Sequence, residues 1–501
     1  MFLIKIEFCE PIMKYGDFKK LTSIKGIDAF IKHLEVNGIG MPCDAFIDTS
    51  ENSPLLSPIE VDGMIVGNRF VAQPMEGWDC TNDGMPTDAT FRRWGKFGES
   101  GAKLIFGGEA AAVRPDGRAN PRQLMINERT KSATAKLREK ARLSHINATE
   151  SDKGWVCGLQ LTHSGRFCKP NDNAKFEPFI LYKHPVLDNK FGTTDDYPIM
   201  DDSEISRLVD DYIESANHAY DAGFDFVDIK HCHGYLGHEF LGAKSRPGKY
   251  GGSLKNRTRF LKEIVTGIRA TCPELKIAVR VSALDLIAFK PGPAVEKQNG
   301  PTLGMAVEWP SNEKYSYGFG MNENHPSEFD YAEMFELFDV LKSLNIKLVN
   351  VTLGSPYYNP HLVRPAAYPP SDGYASPEDP LRGVMRHLEV VRDIKATYPD
   401  LQLVGSGYSY LQEYLPFVAQ AVIRNGWTDF VGIGRMMLSY PEIFLDALGG
   451  REPQRKKFCR TFSDCTTAPR NNLVSGCYPL DPYYKDSEQF DVLAKVKKTS
   501  N

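Results

Sequence analysis

Runs of four to seven apolar or β-branched residues alternate along this chain with helix-length stretches whose apolar positions recur every three or four residues. Continuous apolar runs mark strands buried on both faces, and the amphipathic stretches between them mark helices laid over those faces. This is the pattern of a parallel sheet with crossover helices. Eight strands are predicted, at 69–73, 103–106, 156–161, 224–229, 276–281, 347–351, 402–404 and 430–433. The clearest helix lies between the third and fourth, where Ile205, Leu208, Val209, Tyr212, Ile213, Ala216 and Ala219 form one stripe. Asp202 or Ser203 is placed to cap its start, and Gly223 to end it.

Eight β/α units, rather than five or six, predict an α/β fold of the closed (β/α)8 kind, a TIM barrel, over about residues 53–450. Chemistry in such barrels sits at the C-terminal ends of the strands. Residues 1–52 form an N-terminal extension and residues 451–501 a Cys-containing C-terminal tail. Two stretches break the repeat: 283–330, rich in Gly, Pro and Asn, and 354–381. Loops of that length commonly carry function, and both are expected to roof the barrel mouth. Their Trp309, Tyr315, Tyr317, Tyr357, Tyr358 and His361 are compatible with a sizeable apolar ligand and equally with loop packing.

Composition narrows the partners. The 501 residues are 42% apolar and 25% charged, ordinary values for a globular chain with a large core. The net charge of −4 comes from 60 basic and 64 acidic residues without long single-sign runs, so there is no electrostatic footprint for nucleic acid. Small molecules are the better candidate partners, and the oligomeric state is left open. The opening MFLIKIEF is short and leads to Glu10 without a small-residue cleavage site, which argues against a signal peptide. No apolar stretch is long enough to span a membrane. Ten cysteines, several of them in core segments, read as reduced thiols, so a cytoplasmic location is expected.

The most specific segment runs from Val227 to Arg269, VDIKHCHGYLGHEFLGAKSRPGKYGGSLKNRTRFLKEIVTGIR. Its His233, Gly234, Tyr235, Leu236, Phe240, Leu241, Tyr250, Gly251, Gly252, Ser253, Asn256 and Arg257 closely resemble the old yellow enzyme family. The resemblance, nearer the barrel domain of the 2,4-dienoyl-CoA reductase branch, implies an FMN-dependent oxidoreductase. Such an enzyme takes hydride from NADH or NADPH and reduces an activated C=C bond, as an ene-reductase does. The alternative is a desaturase or amine dehydrogenase working in the oxidative direction. Reduction of an unsaturated carbonyl needs donors for the charge growing on oxygen and a neutral acid for the α-carbon. The resemblance makes Tyr235 that acid, with His233 and Lys230 as carbonyl ligands. Lys230 departs from the family pattern: a lysine is a point charge rather than a planar donor, and suits an anionic or enolate-like group. It also leaves open an ion pair with a nearby carboxylate, or a Schiff-base lyase or aldolase in which Lys230 is the nucleophile.

The same resemblance reads a flavin site from the other strand ends. Asn68, Arg69, Pro74 and Met75 match the first, with Glu76 where the family usually has Thr or Cys. Glu76 is expected either to tune the flavin or to turn away and pair, with Lys230 as one partner. Trp78 and Tyr357 are candidate substrate contacts. Glu109 and Ala110 fall where the chain skirts the ring, and Gln160 is placed to pair with its pyrimidine edge. His163 and Arg166 are expected to brace the adjoining loop. Arg280 points inward from an apolar strand and so calls for an anionic partner. Gly405, Ser406, Gly407, Gly434 and Arg435 lie at the last two strand ends, where barrels often bind phosphate. In the tail, Cys459, Cys465 and Cys477 resemble part of the four-cysteine iron–sulfur motif of larger relatives, with Phe462 where a fourth thiolate would stand. Three ligands at altered spacing speak against a cluster, so no metal is expected.

Overall fold

A computed structural model describes residues 18–293 and 300–499. The first seventeen residues, which include the segment read above against a signal peptide, lie outside the described residues. Thirteen strands are present among the described residues: β1 (Ile59–Val61), β2 (Met64–Val66), β3 (Phe70–Ala72), β4 (Leu104–Ile105), β5 (Ala110–Ala112), β6 (Val156–Thr162), β7 (Phe226–His231), β8 (Lys276–Ser282), β9 (Phe289–Pro291), β10 (Gly304–Ala306), β11 (Leu348–Thr352), β12 (Gln402–Gly405) and β13 (Phe430–Ile433). Strands β3, β4, β6, β7, β8, β11, β12 and β13 pair in parallel in that order, and β13 returns to β3 through Val431↔Phe70 and Ile433↔Ala72. The sheet is therefore a closed eight-stranded barrel.

Each predicted strand is found within about two residues. The largest shift is in β7, which starts at Phe226 and runs on through Lys230 and His231. Those polar residues end the apolar signal while the backbone remains extended. β5 pairs with β6 and continues the direction of β4 after a break at Gly107 and Gly108, both at positive φ. A Cβ on Gly108 would lie 2.3 Å from the Trp94 ring, so only glycine fits the break.

The hairpin of β1 and β2 was not among the predicted elements. Asp62 and Gly63 both have positive φ (51° and 82°), the two-residue turn that Asp-Gly favours. Its Val61 and Val66 pack with Leu104, Phe106, Val156, Phe226, Leu348 and Phe430, closing the barrel at the N-terminal ends of the strands. The opposite end is left for the site.

Helices cover the outside. The helix Asp202–Asp221 buries the predicted stripe except Ile213, which is partly buried, and its cap is Asp201, whose side chain accepts from the Glu204 N–H. The next helix, Arg259–Thr271, buries Phe260, Leu261, Ile264, Val265 and Ile268, each worth about 2 kcal/mol of apolar burial. Gly267 lets the two helices touch, because a Cβ there would lie 2.1 Å from Ile213 Cδ1. In the N-terminal extension, Phe30 stacks on Tyr414 at 4.0 Å.

The C-terminal tail folds back onto the barrel. Asp481 pairs with Arg92 at 2.9 Å, and Asn173 Nδ2 donates to the Arg470 carbonyl at 3.1 Å. Among the described residues no helix is long and apolar enough to cross a membrane, and nine cysteines are unbridged.

Candidate active site

The C-terminal strand ends open into one cleft whose empty space, mouth included, is about 1370 Å³. At its floor Asp228, in the middle of β7, is fully buried and organises its neighbours. Its Oδ1 accepts the Arg280 N–H at 2.7 Å and its Oδ2 accepts Gln160 Nε2 at 2.5 Å. Gln160 thereby turns its carbonyl oxygen to the cleft as an acceptor. Burial raises the Asp228 carboxyl to about 6, opposed by the Gln160 hydrogen bond and by Arg280. Just after β3, Gln73 exchanges amide hydrogen bonds with Asn350 at 3.2 and 2.6 Å and donates to Ser406 Oγ at 3.1 Å.

On one wall a polar network replaces the family pattern. Glu76 pairs with Lys230 through Oε1, and its Oε2 accepts from Tyr235 Oη at 2.9 Å and from Trp78 Nε1 at 2.8 Å. The Lys230 nitrogen lies 3.8 Å from the centre of the Tyr235 ring. Tyr235 and Tyr357 share a further hydrogen bond at 2.8 Å, and Tyr357 stacks on Phe167 at 4.2 Å. Burial, then the Glu76 charge, pushes the Tyr235 phenol well above its usual range, so it holds its proton.

His233 sits at positive φ (68°) in the turn after β7. Its N–H donates to Ser282 Oγ at 3.0 Å, its carbonyl accepts from Ser355 Oγ at 2.8 Å, and the Gly234 N–H donates to His238 Nδ1 at 2.9 Å. Such strain persists only where the surroundings hold it, and it recurs at functional sites. Burial, then Arg280 and Lys230, drives the imidazole well below its ordinary range. It is neutral, and its Nε2 is buried without a protein partner.

The other end of the cleft is cationic. Arg280, Arg364 and Arg435 are buried or nearly so and line the cleft, and among the described residues none has a carboxylate within ion-pair distance. The Nε of Arg280 has no hydrogen-bond partner among the described residues. Unpaired buried charge is costly, so three guanidiniums together mark a place built for an anion. Gly434 adds an open cradle, since a Cβ there would meet nothing nearer than Met75 Sδ at 3.7 Å. The donor set fits FMN: an acceptor on Gln160 and a cation on Arg280 for the ring, and guanidiniums beside a glycine backbone for a phosphate.

Most residues singled out from sequence meet here. Pro74, Met75, Glu76, Trp78, Gln160, Lys230, His233, Tyr235, Arg280, Tyr357, Ser406, Gly407, Gly434 and Arg435 all line the cleft. Ala110 and Gly405 do not line it: Ala110 is fully buried and its carbonyl accepts from Gln123, while Gly405 accepts from Gln73. Glu109 is tied to Arg93 and to the Gly77 N–H, bracing the turn that carries Trp78. Arg166 braces its loop through Asp188 and Glu239. Of the expected aromatic roof only Tyr357 reaches the cleft. Trp309, Tyr315 and Tyr317 pack on one another, Tyr358 donates to Asp285, and His361 bonds Tyr374.

Sequence reasoning did not single out Asp228, Gln73 or Arg364, nor the tail as a wall. Thr461, Cys465, Thr466, Pro469, Arg470 and Ser475 all line the cleft. Cys459, Cys465 and Cys477 lie near enough to influence one another's ionisation, but their sulfurs do not all fall within 4.8 Å, and Phe462 stacks on Tyr368. The chain thus supplies three of the four thiolates a four-iron cluster takes.

A cationic, glycine-lined place at the last two strand ends of a (β/α)8 barrel is where such barrels often bind phosphate, and it points to a class: barrels suited to a phosphorylated cofactor. Comparison with known proteins then gives the lineage. The NADH:flavin oxidoreductase / NADH oxidase family matches residues 54–300, just under half of the chain, and aligns that stretch with the old yellow enzymes. NADPH dehydrogenase of Bacillus subtilis (strain 168) is 32% identical over 238 residues, 46% of this chain and 64% of that protein. This chain thus spans just under two thirds of that relative. The 12-oxophytodienoate reductase 7 of Oryza sativa subsp. japonica is 26% identical over 407 residues, 78% of this chain and 87% of the reductase. Two solved structures share the fold. The complex of 2-naphthoyl-CoA reductase with 2-naphthoyl-CoA superposes with a TM-score of 0.62 at 18% identity, covering 88% of this chain and 58% of that one. The old yellow enzyme homologue of Zymomonas mobilis gives 0.52 at 21% identity, covering 80% and 94%.

Proposed function

We propose that the protein is an FMN-dependent oxidoreductase that uses NADH or NADPH to reduce an activated C=C bond, with Tyr235 as the proton donor. The observation that carries this reading is the convergence of a protonated phenol, a neutral imidazole with a free Nε2 and an ammonium on one cleft wall, beside a cation-lined cofactor site. Gln160, Arg280, Pro74 and Met75 would hold the flavin ring, and Ser406, Gly407, Gly434 and Arg435 its phosphate. When bound, FMN supplies hydride chemistry, from the nicotinamide to the β-carbon of the acceptor.

The protein's own groups do the rest. His233 and Lys230 offer a neutral and a charged partner to the acceptor's oxygen, where negative charge develops. Tyr235 keeps its proton until the α-carbon becomes basic enough to take it. The phenolate left behind faces the Lys230 ammonium and the Tyr357 hydroxyl, which stabilise it, and Glu76 fixes the phenol's orientation. A charged ligand suits an acceptor whose enolate is high in energy, such as an ester or thioester, better than a simple enone. Lys230 is committed to Glu76 rather than presented to a carbonyl carbon, which weighs against a Schiff base. The unbridged thiols support a reducing, cytoplasmic setting.

The test is the visible spectrum of purified protein before and after anaerobic NADH or NADPH, followed by denaturation and an acceptor screen. Flavin bands that bleach, release of FMN and reoxidation by an α,β-unsaturated carbonyl compound are expected. A colourless protein that FMN cannot reconstitute would sink the reading.

A further inference from the structure

No sequence motif points to Arg364, which lies in the long loop after β11, beyond the strand ends where cofactor ligands are sought. Arg364, 8% exposed, lines the cleft, yet among the described residues its guanidinium pairs with no carboxylate. Its side-chain partners are neutral hydroxyls of the tail, Ser463 Oγ on Nη2 and Thr466 Oγ1 on Nη1 at 3.3 Å. Of the charges that act on it, Arg435 is the strongest. Two like charges side by side in a buried place are unfavourable unless an anion joins them, and a phosphate monoester has the charge and the oxygens to do so.

We propose that Arg364, held in place by the C-terminal tail, is a second guanidinium for the phosphate of the cofactor, facing it together with Arg435. The proposal rests on the reading above that the cofactor is a phosphorylated flavin.

The way the tail is fastened supports it. Ser463 and Thr461 are non-glycine residues at positive φ (69° and 53°), a conformation that costs energy and is kept only where other contacts hold it. Ser463 Oγ bonds the Tyr368 carbonyl as well as Arg364, Thr461 Oγ1 accepts the Ala367 N–H at 2.9 Å, and Thr467 Oγ1 accepts the Ser371 N–H at 3.3 Å. These bonds tie the tail to the loop on either side of one guanidinium. Cys465, on the same tail turn, lines the cleft with Arg435. Burial, reinforced by Arg435, draws the Arg364 guanidinium down to about 9, as expected of a cation lacking a counter-charge.

The experiment titrates flavin-free protein with FMN and, separately, with riboflavin, following the quenching of flavin fluorescence. Arg364→Met should weaken FMN binding about 10- to 100-fold, the range of a charged hydrogen-bonded contact, and leave riboflavin within about twofold. Arg364→Lys should fall between, because it keeps the charge and loses the fork. Ser463→Ala, which keeps the guanidinium and removes its anchor, should weaken FMN by a smaller factor with the same spared riboflavin. Loss of FMN and riboflavin binding in equal measure, or of neither, overturns the proposal. Wild-type protein that binds riboflavin and FMN equally well also overturns it while leaving a flavin enzyme in place. Wild-type protein that binds no flavin overturns the cofactor reading itself, and this proposal with it.

Discussion

Tyr235 and Glu76 are joined by one hydrogen bond, the phenol donating to Oε2 at 2.9 Å, and the same carboxylate holds Lys230 on its other oxygen. A carboxylate beside a phenol disfavours phenolate, whereas an ammonium 3.8 Å from the ring centre favours it. The acid is therefore set by a balance between two neighbours that are themselves a pair.

Removing the hydroxyl alone separates the two half-reactions. Tyr235→Phe keeps the ring beneath Lys230 and should slow acceptor reduction by about 100-fold or more, a typical contribution of a positioned acid. Bleaching by nicotinamide should stay within about twofold of wild type. Stopped-flow absorbance measures both, and equal losses in the two would count against the acid role.

Glu76 and Lys230 should behave as a unit in stability. Their side chains are 14% and 3% exposed, so Lys230→Met strands a nearly buried carboxylate and should cost about 3 kcal/mol in urea unfolding. Adding Glu76→Gln should recover at least half of that loss. Simple additivity of the single-variant effects would show that the pair is not coupled.

Gly407 combines a φ of 91° with no room for a side chain: a Cβ would lie 2.8 Å from His387 Cδ2. Gly407→Ala should cost about 1–2 kcal/mol or more and lower the FMN content of purified protein. Gly426, at φ 67° with nothing within 4 Å, is the control. Gly426→Ala bears the backbone strain alone and should keep its FMN, and equal flavin loss in both would rule out a local effect at the phosphate end.

Acid should unfold the protein early. Burial depresses His145, His231, His361 and His387 to about 4 and His163 and His238 to about 3, and it drives His184 and His233 well below their ordinary range. Below their unfolded value of about 6.5 the unfolded chain binds protons that the folded chain refuses, so stability falls as pH drops from 6.5 toward 4. Asp228 and Asp285, raised by burial to about 6, act in the opposite sense because the folded chain takes up their protons first. Eight histidines outweigh two aspartates, and at least about 3 kcal/mol should be lost between pH 7 and pH 5. A urea midpoint that stays constant or rises over that interval would contradict the assignment.

The barrel was legible because its strands are buried on both faces and read as unbroken apolar runs, and the site because its residues stand at the ends of those runs. The pairing of Glu76 with Lys230 could be anticipated, since both departures from the family pattern stand at strand ends that open on one cleft and carry opposite charge. Asp228 could not, because a single carboxylate inside the apolar run of β7 carries no periodic signal. Arg364 sits in an irregular loop and the tail docks through hydroxyls and carbonyls, so no apolar stripe announces either. The hairpin at Asp62 and Gly63 did carry a signal, a two-residue turn between apolar residues, in strands too short to stand out. Trp309, Tyr315 and Tyr317 illustrate the limit of composition: aromatic side chains in a long loop found one another instead of a ligand.

The proposed phosphate end of the cleft is made from the loop after β11, the last two strand ends and the tail, and the ring is shut where β13 meets β3. Contacts between such distant stretches of chain form late, because their loop entropy is lost before any reward arrives. During refolding, helical circular dichroism should therefore return well before the protein can quench flavin fluorescence. Flavin capture then becomes a clock for the moment the barrel closes.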